Sequence, residues 1–210
     1  MNDKAPVSRF PVRSAIVQIG LASLVVAFIW WACYRFIPAT DMPAAFDRVM
    51  FALKWSGVAI LLTFLTGIEA VSHERLVTEA FDPLAGKETK SILVNLRYLQ
   101  NTLEQLMLFV PGLLLLAAYA EPNAVAQSVS AAALVWILAR LAFWIGYRRG
   151  PQYRIAGLVG MAQSMIILLY VSARFGYELG GAWGACVPLL FFTIAETVLV
   201  IRAVRQAATR

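Results

Sequence analysis

Residues 92–120 read ILVNLRYLQNTLEQLMLFVPGLLLLAAYA, with no charged residue after Glu104. A bilayer core of about 30 Å is crossed by about 20 apolar residues in a helix, so this stretch is long enough to span it. Its first third is not purely apolar. Arg97, Asn101 and Glu104 recur at i, i+4 and i+7, which places them on one helical face. An apolar helix with one polar stripe near one end is therefore the unit from which the rest follows.

Working outward, five more stretches have the same length and character: approximately residues 15–37, 49–72, 125–146, 155–177 and 182–203. The connections are short and rich in turn formers, such as Pro38 to Pro43, Asp82 to Gly86, and Gly150 with Pro151. The expectation is an all-α membrane protein of about six transmembrane helices, forming a single membrane domain over residues 1–210. Composition agrees: 60% of residues are hydrophobic and 14% charged, against about 25% charged in a soluble domain. The basic residues ahead of the first span (Lys4, Arg9, Arg13) are those a signal peptide would carry, but the apolar run behind them is too long for one, so it reads as a retained helix.

The net charge is +6, yet the cations form no concentrated stripe of the kind nucleic acid requires. They collect at span ends on alternate sides. One side holds Lys4, Arg9, Arg13, Arg75, Lys87, Lys90, Arg148, Arg149, Arg154, Arg202, Arg205 and Arg210; the other holds Arg35, Arg48 and Arg174. The positive-inside rule then predicts that both termini are cytoplasmic. Cys33 and Cys186 are far apart in apolar runs and His73 is the sole histidine, which excludes a disulfide framework and a histidine-based metal site. Arginine's excess over lysine suggests a bacterial inner membrane.

Placing a charge in mid-span costs about 2.5–3.5 kcal/mol, so such residues mark function by default. Arg97, Asn101 and Glu104 on the third span are joined by Arg140 and Tyr147 on the fourth, spaced i, i+7 and so sharing a face. Arg154 opens the fifth span, and Glu69, His73 and Arg75 end the second. The third span starts at the cytoplasmic side and the fourth ends there, so these groups meet in one layer. Cations outnumber carboxylates in that layer. An anionic ligand with more than one carboxylate would complete it, each taking a bidentate arginine. Glu196, in the last span, has only Thr193 and Thr197 near it and receives no role.

These residues resemble the MAPEG family, the membrane-associated proteins of eicosanoid and glutathione metabolism. Two segments carry the likeness: Arg97-Tyr-Leu-Gln-Asn101-Thr-Leu-Glu104, and the run from Ala139-Arg140 through Gly146-Tyr147 to Arg154. Both are similar to the ligand-binding motifs of the family's glutathione synthases and transferases. The likeness covers roughly residues 49–177, the family's four-helix bundle, flanked here by an added helix at each end (15–37 and 182–203).

The resemblance implies a homotrimer with glutathione as co-substrate at the subunit interface. It assigns Arg97, Asn101 and Glu104 to the tripeptide's charged and amide groups. Arg140 and Tyr147 would come from the adjacent subunit, Arg75 would be a further basic contact, and Arg154 would favour the thiolate. Phe143 and Gln105 stand where some members have tyrosine. The implied function is a glutathione-dependent transferase or peroxidase acting on a lipophilic electrophile drawn from membrane lipid. The alternative is a non-catalytic lipid-binding scaffold, or an accessory subunit docked to a larger membrane complex through the added helices.

Overall fold

The computed structural model describes residues 12–208, so Lys4, Arg9 and Arg210 of the charge count lie outside the described residues. Every regular element among them is helical. Helix α1 is Val12–Phe36, α2 runs over Ala45–Leu76, α3 is Lys90–Tyr119 and α4 is Val125–Arg149. A 3₁₀ segment, Pro151–Gly157, leads into the last helical stretch, Leu158–Ala208.

That last stretch has 51 residues, about 77 Å if straight, more than twice the bilayer core. It is broken at Gly180 and Gly181, and Gly181 has φ 59° and ψ −146°, a conformation open only to glycine. The break gives α5 (158–179) and α6 (182–208), and with them six apolar helices among the described residues. The two legs close on each other at Gly176 and Gly184, where a Cβ on either residue would meet the other's backbone carbonyl. The turn of the hairpin lies in the second of two compact units, residues 165–210, while the first residues of α5, up to Ser164, belong to the first unit.

In the first unit α4 is the central helix, packed against α1, α2, α3 and the 3₁₀ segment. Its buried positions are largely small: Ala126, Ser128, Ser130, Ala131, Ala132, Ala133 and Ala139. Lipid offers helices no hydrophobic drive to associate, so close backbone approach through small residues supplies the attraction. Larger side chains fill the remaining space, as where Phe109 and Trp136 stack at 4.4 Å.

Polar anchors fix the other helices to this centre. The Trp30 indole N–H donates to Gln163 Oε1 at 3.0 Å, and Gln163 Nε2 donates to the Ala132 carbonyl at 2.8 Å. These bonds tie α1 to α4 through α5. Thr89 caps α3 by accepting from the Ile92 amide at 3.1 Å, and its hydroxyl also bonds Glu74 at the end of α2. Within α2, a π-helical turn over Ile60–Leu65 presents the Thr63 carbonyl to the Tyr98 hydroxyl at 3.0 Å.

The helices outrun the apolar stretches that predict them. α2 continues to Leu76 and α4 to Arg149, because backbone hydrogen bonding persists into the headgroup region after the side chains turn polar. The fifth span differs in the other direction. Ile155 lies not in an α-helix but in the 3₁₀ segment, and α5 begins at Leu158.

Candidate functional site

The 3₁₀ segment is what builds the site. At Gly146 an added Cβ would lie 2.8 Å from the Tyr153 carbonyl carbon. At Gly157 it would run into the Phe143 side chain, whose ring carbons come within 2.7–2.8 Å. Both glycines let the segment lie directly on α4. The chain therefore folds back at Gly150 without leaving the helix surface, and Arg154 arrives beside α4's last turns.

A cleft of about 230 Å³ results, lined by Arg97, Gln100, Asn101 and Glu104 of α3, Phe143 and Tyr147 of α4, and Arg154. Five residues singled out by their spacing thus share one cavity: Arg97, Asn101, Glu104, Tyr147 and Arg154. All five belong to one chain, so Tyr147 already stands with the α3 stripe before any subunit contact is made.

The α3 stripe is internally bonded. Arg97 Nη1 donates to Gln100 Oε1 at 3.1 Å, and Gln100 Nε2 donates to Glu104 Oε1 at 3.3 Å. Gln100 links the cation to the carboxylate across a separation too long for a direct ion pair. One turn over, Gln105 Nε2 donates to Asn101 Oδ1 at 3.3 Å. Gln100 is not among the stripe residues Arg97, Asn101 and Glu104. Its signal in the sequence is its place at i+3 from Arg97 and i−4 from Glu104, within side-chain reach of both.

Two expected site residues lie elsewhere. Arg140 is fully buried and does not line the cleft. Its Nη2 donates to Thr102 Oγ1 at 3.2 Å, and its guanidinium sits 4.3 Å from the Phe143 ring centre and 5.6 Å from that of Tyr98. Helical phase puts Arg140 and Tyr147 on one face, but α3 covers that face at the level of Arg140 and leaves it open at Tyr147. Arg140 Nε and Nη1 have no hydrogen-bond partner. Arg75 is half-buried at the end of α2, outside the cleft lining, and its Nε is likewise unpartnered.

Behind the cleft runs an aromatic array. Tyr147 and Phe143 stack at 5.6 Å, Phe143 and Tyr98 at 6.4 Å, and Tyr98 and Trp144 at 4.9 Å. The Asn95 amide oxygen accepts from both Trp144 Nε1 at 2.9 Å and Arg148 Nη2 at 3.0 Å. This array holds α3 and α4 at the spacing that keeps the cleft open.

Two arginines and one carboxylate line the cavity, with an amide, a second amide and a phenol between them. That donor-rich set suits a zwitterionic ligand with a carboxylate at Arg97, an amine at Glu104 and a further negative centre, such as glutathione's thiolate, at Arg154. Among the described residues no group of histidine, cysteine and acidic side chains could hold a metal ion.

An all-helical membrane protein with a polar cleft at one end of its central helices is the class so defined. Residues 52–177, more than half of the chain, match the family model described as MAPEG family, and the chain belongs to that family. It is also similar to an uncharacterized protein of Synechocystis sp., sll1147, at 40% identity over 75 residues, or 35% of this chain and 52% of that one. The match thus spans about half the length of that curated relative. No solved structure matches.

Proposed function

We propose that the protein is a glutathione-dependent transferase or peroxidase acting on a lipophilic electrophile from the membrane. The observation that carries this reading is the convergence of Arg97, Asn101, Glu104, Tyr147 and Arg154 on a single cleft. In this reading Arg97 and Glu104 hold the tripeptide's charged ends, and Asn101 bonds its amides. Glutathione supplies a nucleophilic sulfur. A free thiol has a pKa of about 8.5 and is mostly protonated at neutral pH. Arg154, exposed on the 3₁₀ segment, favours the thiolate by placing a fixed cation beside it. Tyr147 and Phe143 form the wall against which the sulfur is oriented, and orientation together with thiolate formation supplies the rate.

The acceptor enters from the lipid side between helices. We further propose a homotrimer in the bacterial inner membrane, with both termini in the cytoplasm and the cleft at the cytoplasmic face. The test is titration of the purified full-length protein with glutathione, followed by calorimetry and by ultraviolet difference absorbance of the thiolate. Saturable binding with a thiolate band supports the enzyme. Binding without a thiolate band, or no binding, removes it and leaves a lipid-binding scaffold.

A further inference from the structure

A groove of about 480 Å³ lies between the added helix α1 and the central helix α4, entirely within the first compact unit. On α1 it follows Gln18, Ala22, Val26 and Ile29, one helical face at i, i+4, i+8 and i+11, all half-buried. On α4 it passes over Ala139 and Ala142, whose methyl groups leave the space that larger side chains would fill. Leu21 and Val25 on one rim and Leu138 on the other are 59%, 55% and 49% exposed, so the groove opens sideways from the bundle. Its deep end is marked by a bonded strut: Trp30, next to Ile29, bonds Gln163, which bonds the Ala132 carbonyl one turn from Val135.

The dimensions of the groove select what fills it. Both walls are spans, and the lining has no charged residue, so water finds no partners along it. Gln18 to Ile29 covers about 16 Å at 1.5 Å per residue. That is about half of a hydrocarbon core of about 30 Å, or one leaflet. Spread over that length, the volume averages about 30 Å² in section, about 6 Å across. A helix with its side chains is about 10–12 Å wide and does not enter. A single hydrocarbon chain, whose carbons approach their neighbours to about 3.5–4.0 Å, does.

The one polar lining residue sits at the shallow end. Gln18 stands about 5 Å inside the apolar run that begins at residue 15. The interfacial layer that holds a lipid's ester groups adjoins that level. The amide is neutral, so the lining offers no cation to a free carboxylate. A phospholipid, whose chain enters sideways while its headgroup stays in the interface, matches the lining better than a free fatty acid does.

We propose that this groove is a binding site for one acyl chain of a membrane phospholipid, aligned along α1 with its ester end at Gln18. The α1 wall lies outside residues 52–177, so the site is an addition to the family's bundle. It does not depend on the chemistry of the cleft.

A phosphatidylethanolamine carrying a diazirine midway along one acyl chain tests the site, in vesicles holding the full-length protein. Light expels nitrogen from the diazirine, and the carbene left behind inserts into a bond beside it. The expected result is adducts concentrated in residues 21–29 and 135–142, severalfold above other exposed stretches such as residues 187–201. Ala142→Phe fills the groove from α4 and Ala22→Phe fills it from α1, and each abolishes that excess. Leu24→Phe, exposed on α1 outside the lining, leaves it unchanged. Even labelling of all exposed helices overturns the proposal, as does an excess that survives both filled variants. So does a groove left unlabelled because another copy covers it, or one labelled more strongly by a diazirine fatty acid than by the phospholipid. If the filled variants do not fold, the wild-type pattern and the comparison of the two probes still decide. Glutathione titration of the same samples reads the cleft separately. A labelled groove without glutathione binding removes the enzyme and keeps this site, and an unlabelled groove with saturable binding removes this site alone.

Discussion

Gly146 and Tyr153 touch backbone to backbone: a Cβ on the glycine would stand 2.8 Å from the tyrosine's carbonyl carbon. This contact sets where Arg154 lies, because Tyr153 is its neighbour on the 3₁₀ segment. Replacing Gly146 with Ala forces the segment off α4, since the obstacle is main chain and not a flexible side-chain end. Overpacking of this kind costs about 1–3 kcal/mol. The expected outcome is retained helical circular dichroism and glutathione affinity within a few-fold, with the thiolate absorbance of the bound complex largely lost, because the cation no longer stands beside the sulfur. An undiminished thiolate band in a folded Gly146→Ala protein would show that this contact does not set Arg154's position.

Arg140 supplies a second prediction. It meets the cleft wall at Phe143, over whose ring it sits. Its substitution by Met keeps the length and apolar stem and removes a buried cation with two unpartnered N–H groups. Apolar replacement of buried charge is often neutral or stabilising. Arg140→Met should therefore melt at or above the wild-type temperature and bind glutathione within a few-fold. A loss beyond tenfold with the fold intact would return Arg140 to direct ligand contact.

The contrast between Arg140 and Tyr147 shows what the sequence carries and what it does not. Run length and charge placement were enough for six helices, because lipid permits few alternatives. The i, i+4, i+7 spacing was enough for the α3 stripe, because helical phase alone decides which residues share a face. Phase does not decide whether that face is open. At Arg140 it is closed by Thr102 and Tyr98 on α3, a tertiary fact with no local signal. The 3₁₀ segment was hidden for a different reason. Its apolar Ile155 resembles a span start, and the conformation is set by contacts of Gly146 and Gly157 with residues outside their own neighbourhood.

Gln163 joins α1 to the bundle, which makes the attachment of that added helix measurable. It accepts from Trp30 and donates to the Ala132 carbonyl. Gln163→Leu removes both bonds and leaves the Trp30 indole N–H without its acceptor in a part-buried site, while the Ala132 carbonyl keeps its backbone bond within α4. Cross-helix bonds in membranes average about 0.6 kcal/mol each, and stranded buried groups raise the cost to about 1–3 kcal/mol. The expected result is a lower melting temperature with glutathione binding unchanged, since neither bond reaches the cleft. Full stability in Gln163→Leu would show that α1 is held by apolar packing alone.

The division of labour within the cleft gives the most demanding prediction. Arg97, Gln100 and Glu104 form a bonded row along a rigid helix, suited to holding a ligand's charged ends. Arg154 stands across the cavity on a 3₁₀ segment, exposed to water and to a soluble thiol. Arg97→Ala or Glu104→Gln should weaken glutathione binding by breaking charge-assisted bonds worth about 1.5–3 kcal/mol each, a loss of roughly ten- to hundredfold. Arg154→Ala should leave affinity within a few-fold. Its effect belongs on the sulfur: a nearby cation lowers a thiol's pKa, and one pKa unit corresponds to about 1.4 kcal/mol. At neutral pH the bound thiol in that variant is therefore protonated, and the thiolate absorbance largely disappears. The Arg154→Ala complex should regain thiolate only as pH rises toward the free thiol's range, about 8.5. Titrating thiolate absorbance against pH for wild type and Arg154→Ala at saturating glutathione measures the difference directly. Identical titration curves would remove Arg154 from the chemistry while leaving the cleft as a binding site.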